Sequence, residues 1–275
     1  MHEITSPFHF QQGNSPVLVS MPHSGTSLLP NMEQRLTEQA KNLPDTDWYL
    51  AELYDFLSEL NVSVISASYS RYVVDLNRPI DDKPLYTSKT TGLFPEILFS
   101  DQAVFLSGQQ HSAELKEQIK SDIWRPYHQK IGHELDRIKQ QFGYAILFDA
   151  HSIAEQVPML FDGKLPHFNF GNNDGAASAS ALLSSIEEVI ANSGFNQVSN
   201  GRFKGGYITR CFGQPEQDIH AIQLELSQAT YLTDKALTDA ANRYQLDVVK
   251  TQQLKPILKQ LISTLISTGN QQYVR

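Results

Sequence analysis

The chain has 275 residues, 40% of them hydrophobic and 10% aromatic, enough for a substantial core and read most simply as one domain over 1–275. Its formal net charge of −8 argues against nucleic acid or an acidic membrane surface as a partner. The single cysteine, Cys211, excludes an intramolecular disulfide and any cysteine-based zinc site.

In chain order, Met1 to Pro7 lack the basic and apolar stretches of a signal peptide, and no apolar run approaches transmembrane length; a cytoplasmic protein is expected. Val17 to Pro22 reads as a short buried strand that stops at His23-Ser24. Asp45-Thr46-Asp47 then precedes Trp48, Leu50, Leu53, Tyr54 and Leu57, the pattern of a helix with an Asp or Thr cap. Val62 to Ala67 is a second strand. Pro79 to Gly108 lacks a regular pattern, and loops of that length in a compact domain are usually functional. Ser112 to Gln141 is helical, kinked or restarted at Pro126. Ala145 to Ala150 is a third strand, and it too stops at a His-Ser pair, His151-Ser152. Ala176 to Asn192 is a helix, and Gly201 to Gly213 a glycine-rich loop with a short strand. Cys211, with nothing nearby to activate it, reads as a small core filler. Ala221 to Leu226 is a strand, and Asp234 to Thr268 supplies one or two helices. Alternating strands and helices predict an α/β fold with a largely parallel or mixed sheet.

Ligands of open α/β sheets bind beyond the carboxyl ends of the strands. Two histidines at such ends, His23 and His151, can meet at one metal ion. Catalytic zinc takes three ligands from histidine and carboxylate and leaves one position for water. Asp47 is the best candidate for the third, with a plain helix cap as the alternative reading. Asp45 shares both possibilities, and Glu52 is a weaker choice. Asp149, on the same strand face as His151, suits a carboxylate that supports the imidazole from behind. In Ala221 to Leu226, Ile222, Leu224 and Leu226 face one side, Gln223 and Glu225 the other. Glu225 is then either part of a wet strand face or a general base for a metal-bound water. The segment Ser70 to Pro79 holds Arg71, Asn77 and Arg78 beside apolar residues; arginine forks match carboxylates, so it suits an anionic substrate. A surface ion pair of Arg78 with Asp75 or Asp81 is the alternative. Lys204 to Arg210 adds a glycine-rich turn and a further arginine.

Six segments together carry a resemblance: PHSG (22–25), DTDW (45–48), SRYVVDLNRP (70–79), DAHS (149–152), FKGGYITR (203–210) and QLELSQATY (223–231). In this order, from about Ser15 to Tyr231, the chain resembles the N-formylglutamate amidohydrolases. The resemblance implies a zinc-dependent hydrolase with a carboxypeptidase-like α/β fold, a mixed central sheet flanked by helices. It implies cleavage of N-formyl-L-glutamate, a small anionic amide, to formate and glutamate at the end of one histidine-degradation route. A more distant similarity to aspartoacylases and zinc carboxypeptidases implies roles. His23 and His151 match the metal-binding histidines, Asn77 and Arg78 a carboxylate-gripping pair, Arg71 the arginine that polarises the scissile carbonyl, and Glu225 the base. Those relatives take their acidic ligand three residues after the first histidine, where this chain has Thr26; that favours Asp47. Arg210 is expected to join Asn77 and Arg78 in holding the two carboxylates. The rival readings are a hydrolase of another N-acyl amino acid or C-terminal peptide bond, and a non-catalytic binder of acidic metabolites. Neither Ser24 nor Ser152 sits in a G-x-S-x-G elbow, which counts against a serine hydrolase.

Overall fold

The computed structural model describes residues 6–85, 90–233 and 244–273. Residues 234–243, where the terminal helical stretch was expected to begin, lie outside them. Among the described residues, seven strands form one mixed sheet: β1 (Phe8–Gln11), β2 (Val17–Met21), β3 (Ser63–Ala67), β4 (Ala145–Ile153), β5 (Phe168–Gly171), β6 (Gln197–Ser199) and β7 (Ile219–Ser227). Their order is β1-β3-β2-β4-β7-β5-β6. β1 runs antiparallel to β3 and β5 antiparallel to β7, while β3, β2, β4 and β7 are mutually parallel. The α/β reading with a mixed sheet therefore holds. β1, β5 and β6 are additions to the expected set.

β2, β4 and β7 are buried on both faces, which explains their near-continuous apolar runs. On one face Val17, Val19, Ile146, Phe148, Ile222 and Leu224 pack with the helices α1 (Leu50–Leu53), α4 (Ser180–Ala191) and α6 (Val248–Tyr273). On the other, Leu18, Ala145, Leu147, Ile219 and Ala221 pack with α3 (Arg125–Phe142) and α5 (Tyr207–Phe212). Each fully buried Leu or Phe contributes about 1.5–3 kcal/mol by leaving water. Along this second face the apolar lining stops partway up the strands. Leu147 is followed on the same face by Asp149 and His151, and Ala221 by Gln223 and Glu225. The sheet thus turns from core to polar cleft at its carboxyl edge.

Local structure corrects several expectations. The helix after Asp47 shrinks to the single turn of α1 and a following 3₁₀ turn, with no side-chain cap. Leu43 and Tyr49 take left-handed φ of 48° and 60°, which breaks the chain on either side of Asp45–Asp47. His151 and Ser152 lie within β4, which runs on to Ile153, rather than beyond its end. The Ser112 stretch divides as expected. α2 (Ala113–Ile119), capped by Ser112, passes through a π turn at Lys120–Trp124, and α3 restarts with Pro126 in its first turn. α4 begins later than Ala176. The short strand expected between Gly201 and Gly213 is instead the helix α5. Cys211 lies on its exposed side, so it is not a core filler. α6 is a single helix. Among the described residues no helix is long and apolar enough to cross a membrane.

Candidate metal centre

At the carboxyl edge of β2 and β4, the imidazoles of His23 and His151 lie 4.9 Å apart, centroid to centroid. Both are buried, and both turn Nδ1 toward Asp47. Asp47 Oδ2 is 3.1 Å from His151 Nδ1 and 3.8 Å from His23 Nδ1. One ligand atom from each of the three lies within 4.8 Å of the others. Asp47 is brought there by its main chain: its N–H donates to the His23 carbonyl at 3.0 Å.

The far side of each imidazole meets another carboxylate. His23 Nε2 is 2.7 Å from Asp75 Oδ1, and His151 Nε2 is 3.1 Å from Asp149 Oδ2. A proton on each Nε2, facing a carboxylate, leaves each Nδ1 lone pair toward the shared centre, the arrangement that orients metal-binding histidines. Asp75 also accepts from Arg71 Nη2 at 2.7 Å and from the Asn77 N–H at 2.9 Å. Burial would raise the Asp75 carboxyl, but His23, Arg71 and Arg78 hold it well below the usual range. His23 is lowered by burial and by Arg71. His151 is raised despite burial, because Asp149 and Asp47 favour its charged form. Two imidazoles and a carboxylate, with further buried carboxylates behind them, fit a divalent cation by donor type and by charge.

Glu225 stands on β7 in register with His151 on β4, so both side chains leave the same face. It is buried, and burial pushes its carboxyl up to about 8. These residues line a small cleft of about 60 Å³ together with Arg71, Asn77 and Arg78. Arg71 lies over the Phe99 ring at 4.7 Å. Asn77 accepts from the Ile208 N–H at 2.8 Å, and its Nδ2 is 3.0 Å from His151 Nε2. Gly206 makes this possible: a Cβ there would sit 2.3 Å from Asn77 Nδ2. Arg78 donates to the carbonyls of Thr91 and Asn77 and to Thr90 Oγ1.

Some expected residues lie elsewhere. Arg210 is not in the cleft lining; its Nε donates to the Gly205 carbonyl at 2.8 Å. Arg202 lines the cleft beside Phe203. Glu52 is exposed on α1. Asp45 is turned away, accepting from Tyr72 Oη at 2.8 Å and the Phe99 N–H at 3.1 Å, and burial raises its carboxyl. Asp75 pairs with His23 and Arg71 instead of forming a surface pair with Arg78. The sequence reading missed Asp75 as a partner of His23. Its signal was an acid set between the apolar residues Val73, Val74 and Leu76. A larger cavity of about 450 Å³ shares Phe99, Ser152 and Ile153 with the cleft but none of the three clustered ligands. The donor set marks the smaller one.

Known proteins resemble this chain along nearly its whole length. The family model for N-formylglutamate amidohydrolase matches residues 15–232. The chain is 47% identical over 274 residues to the N-formylglutamate deformylase of Pseudomonas aeruginosa, covering 99% of this chain and 100% of that one. It is 48% identical over 267 residues to the N-formylglutamate deformylase of Pseudomonas putida, covering 97% and 98%. Its fold is similar to the crystal structure of N-formylglutamate amidohydrolase from Ralstonia eutropha, with a TM-score of 0.79 at 19% identity and coverage of 96% and 98%. With its match over most of its length and two relatives of nearly half its sequence, the chain belongs to the N-formylglutamate amidohydrolase family.

Proposed function

We propose that this chain hydrolyses N-formyl-L-glutamate to formate and L-glutamate, with zinc at the His23–Asp47–His151 cluster, and serves histidine degradation. The observation that carries the reaction is the cluster set beside Glu225 in a cleft lined by arginines. The substrate rests on the names of the Pseudomonas relatives. A small, dianionic substrate suits a small cleft that holds Arg71, Arg78 and Arg202 inside an acidic protein.

When bound, a divalent cation supplies Lewis acidity, polarising a carbonyl oxygen and bringing the pKa of a water down to about 7. The rest falls to the chain's own groups. Glu225 takes the proton of the attacking water on its carboxylate and returns it to the departing amine nitrogen as the C–N bond breaks. A positive charge at the cluster opposes the burial that raises Glu225, and so favours the ionised base. Arg71 stabilises the charge that develops on the formyl oxygen. Asn77 donates through Nδ2 to Asp149 Oδ2, the carboxylate behind His151, and with Arg78 and Arg202 forms the wall against which the carboxylates lie.

The test is formate release from N-formyl-L-glutamate beside N-acetyl-L-glutamate and N-formyl-L-norvaline. The proposal expects the first to be turned over fastest, with activity lost on chelation and restored by Zn²⁺. Preference for either other substrate, or full activity after metal stripping, overturns it.

A further inference from the structure

Asp47 sits in a segment with little regular structure. No cap or helix dipole holds it, and left-handed residues flank it at Leu43 and Tyr49. A carboxylate on such a segment needs other support to stay within reach of two imidazoles. That support comes from the turn that follows β7.

Gln228 and Tyr231 lie at the start and end of this turn, and both are buried. Gln228 Nε2 donates to the Thr46 carbonyl at 3.0 Å. Tyr231 Oη donates to the Trp48 carbonyl at 3.0 Å. Thr46 and Trp48 are the immediate neighbours of Asp47, so the carbonyls on both sides of it are held from one turn. Between the two clamping side chains stands Ser152, 2.7 Å from Tyr231 Oη and 3.4 Å from Gln228 Nε2. The single phenolic proton goes to the Trp48 carbonyl, which can only accept. Ser152 therefore donates to Tyr231 and accepts from Gln228. Ser152 follows His151, and Gln228 lies three residues past Glu225.

We infer that Gln228, Ser152 and Tyr231 form a buried clamp that positions Asp47 for metal binding, coupling its loop to the strands that carry His151 and Glu225. These are positioning residues: they touch the main chain beside Asp47 and the hydroxyl beside His151. The inference rests on the cluster being a metal site. Side chains behind metal ligands typically change affinity by about 10–100-fold when removed.

The experiment is competitive Zn²⁺ titration against a chelating dye, with melting of the metal-free protein followed in parallel. The variants are Tyr231→Phe, Gln228→Leu and Ser152→Ala. Tyr144→Phe is the control, since it deletes a comparable tyrosine bond, to Asn270 Oδ1 at 2.9 Å, outside the cleft. The clamp predicts affinity lower by about 10–100-fold in Tyr231→Phe and Gln228→Leu, with Ser152→Ala intermediate and Tyr144→Phe at the parental value. The Co²⁺ absorption band should shift in the same order. Parental affinity in the folded clamp variants, whatever their melting temperatures, overturns the inference. If Tyr231→Phe fails to fold, Gln228→Leu and Ser152→Ala decide it. If the parent binds no ion, or His23→Ala binds as the parent does, it is the metal reading that fails instead.

Discussion

Glu225 and His151 are cross-strand neighbours: their Cα atoms pair in the parallel register of β7 and β4, and their side chains rise from one face of the sheet. Two rigid central strands therefore set the spacing between a carboxylate and an imidazole of the candidate metal cluster, with no loop between them. In the proposed reaction Glu225 moves the proton and His151 helps hold the ion. Glu225→Gln should lower kcat by about 10²–10⁴-fold, the usual contribution of a positioned acid–base group. Bound metal, measured by elemental analysis, should stay at the parental level. Parental turnover in this variant would remove Glu225 from the mechanism.

Asp75 is fully buried and serves two partners at once, His23 at 2.7 Å and Arg71 at 2.7 Å. Asp75→Asn keeps the shape but removes the carboxylate paired directly with the buried Arg71 guanidinium. Breaking a buried pair in this way costs about 3–5 kcal/mol, and loss of the carboxylate behind His23 weakens metal binding by about 10–100-fold. Denaturant unfolding and Zn²⁺ titration read the two effects separately. A variant unchanged in both would mean that the contact does neither job.

The central strands and both histidines were legible because parallel strands buried on two faces leave unbroken apolar runs, and their ends are marked by polar residues. β1, β5 and β6 were not, since each has four residues or fewer, too short a run for the alternation in Phe8–Gln11 or Phe168–Gly171 to separate it from a loop. Asp47 could be singled out as an acid near the His23 loop. Its cap reading could be dismissed only once Tyr49 was seen to break the helix. The same limit applies to arginines. Arg210 and Arg202 flank the same glycine pair, and spacing does not say which faces the cleft. In the fold Arg210 lies on the helix α5 and outside the cleft lining, whereas Arg202 is part of that lining.

That difference is testable by comparing two single variants. Arg202 lines the cleft, so Arg202→Ala should raise KM for N-formyl-L-glutamate by about 10–100-fold, the worth of one hydrogen bond to a charged group. Arg210→Ala should leave KM near the parental value, because Arg210 does not line the cleft. Steady-state kinetics on both variants, with melting temperatures to check folding, would expose the reverse assignment directly.

His128 offers a prediction away from the cleft. Its ring stacks on Trp124 at 3.7 Å, its Nδ1 lies 2.8 Å from the Trp124 carbonyl, and burial lowers its pKa from 6.5 to about 4. Between these values the unfolded chain binds a proton that the folded one refuses. Folding stability from this group is thus complete above pH 6.5 and is lost as pH falls through 4. The full difference is about 3 kcal/mol at 1.36 kcal/mol per pH unit. His128→Phe keeps an aromatic ring in the stack and removes the titration. Urea unfolding of the metal-free proteins at several pH values between 7 and 4 should show the parent losing about 3 kcal/mol more than the variant. Parallel pH profiles for the two proteins would show that His128 is charged in the folded state, or that its burial is relieved, and would sink the prediction.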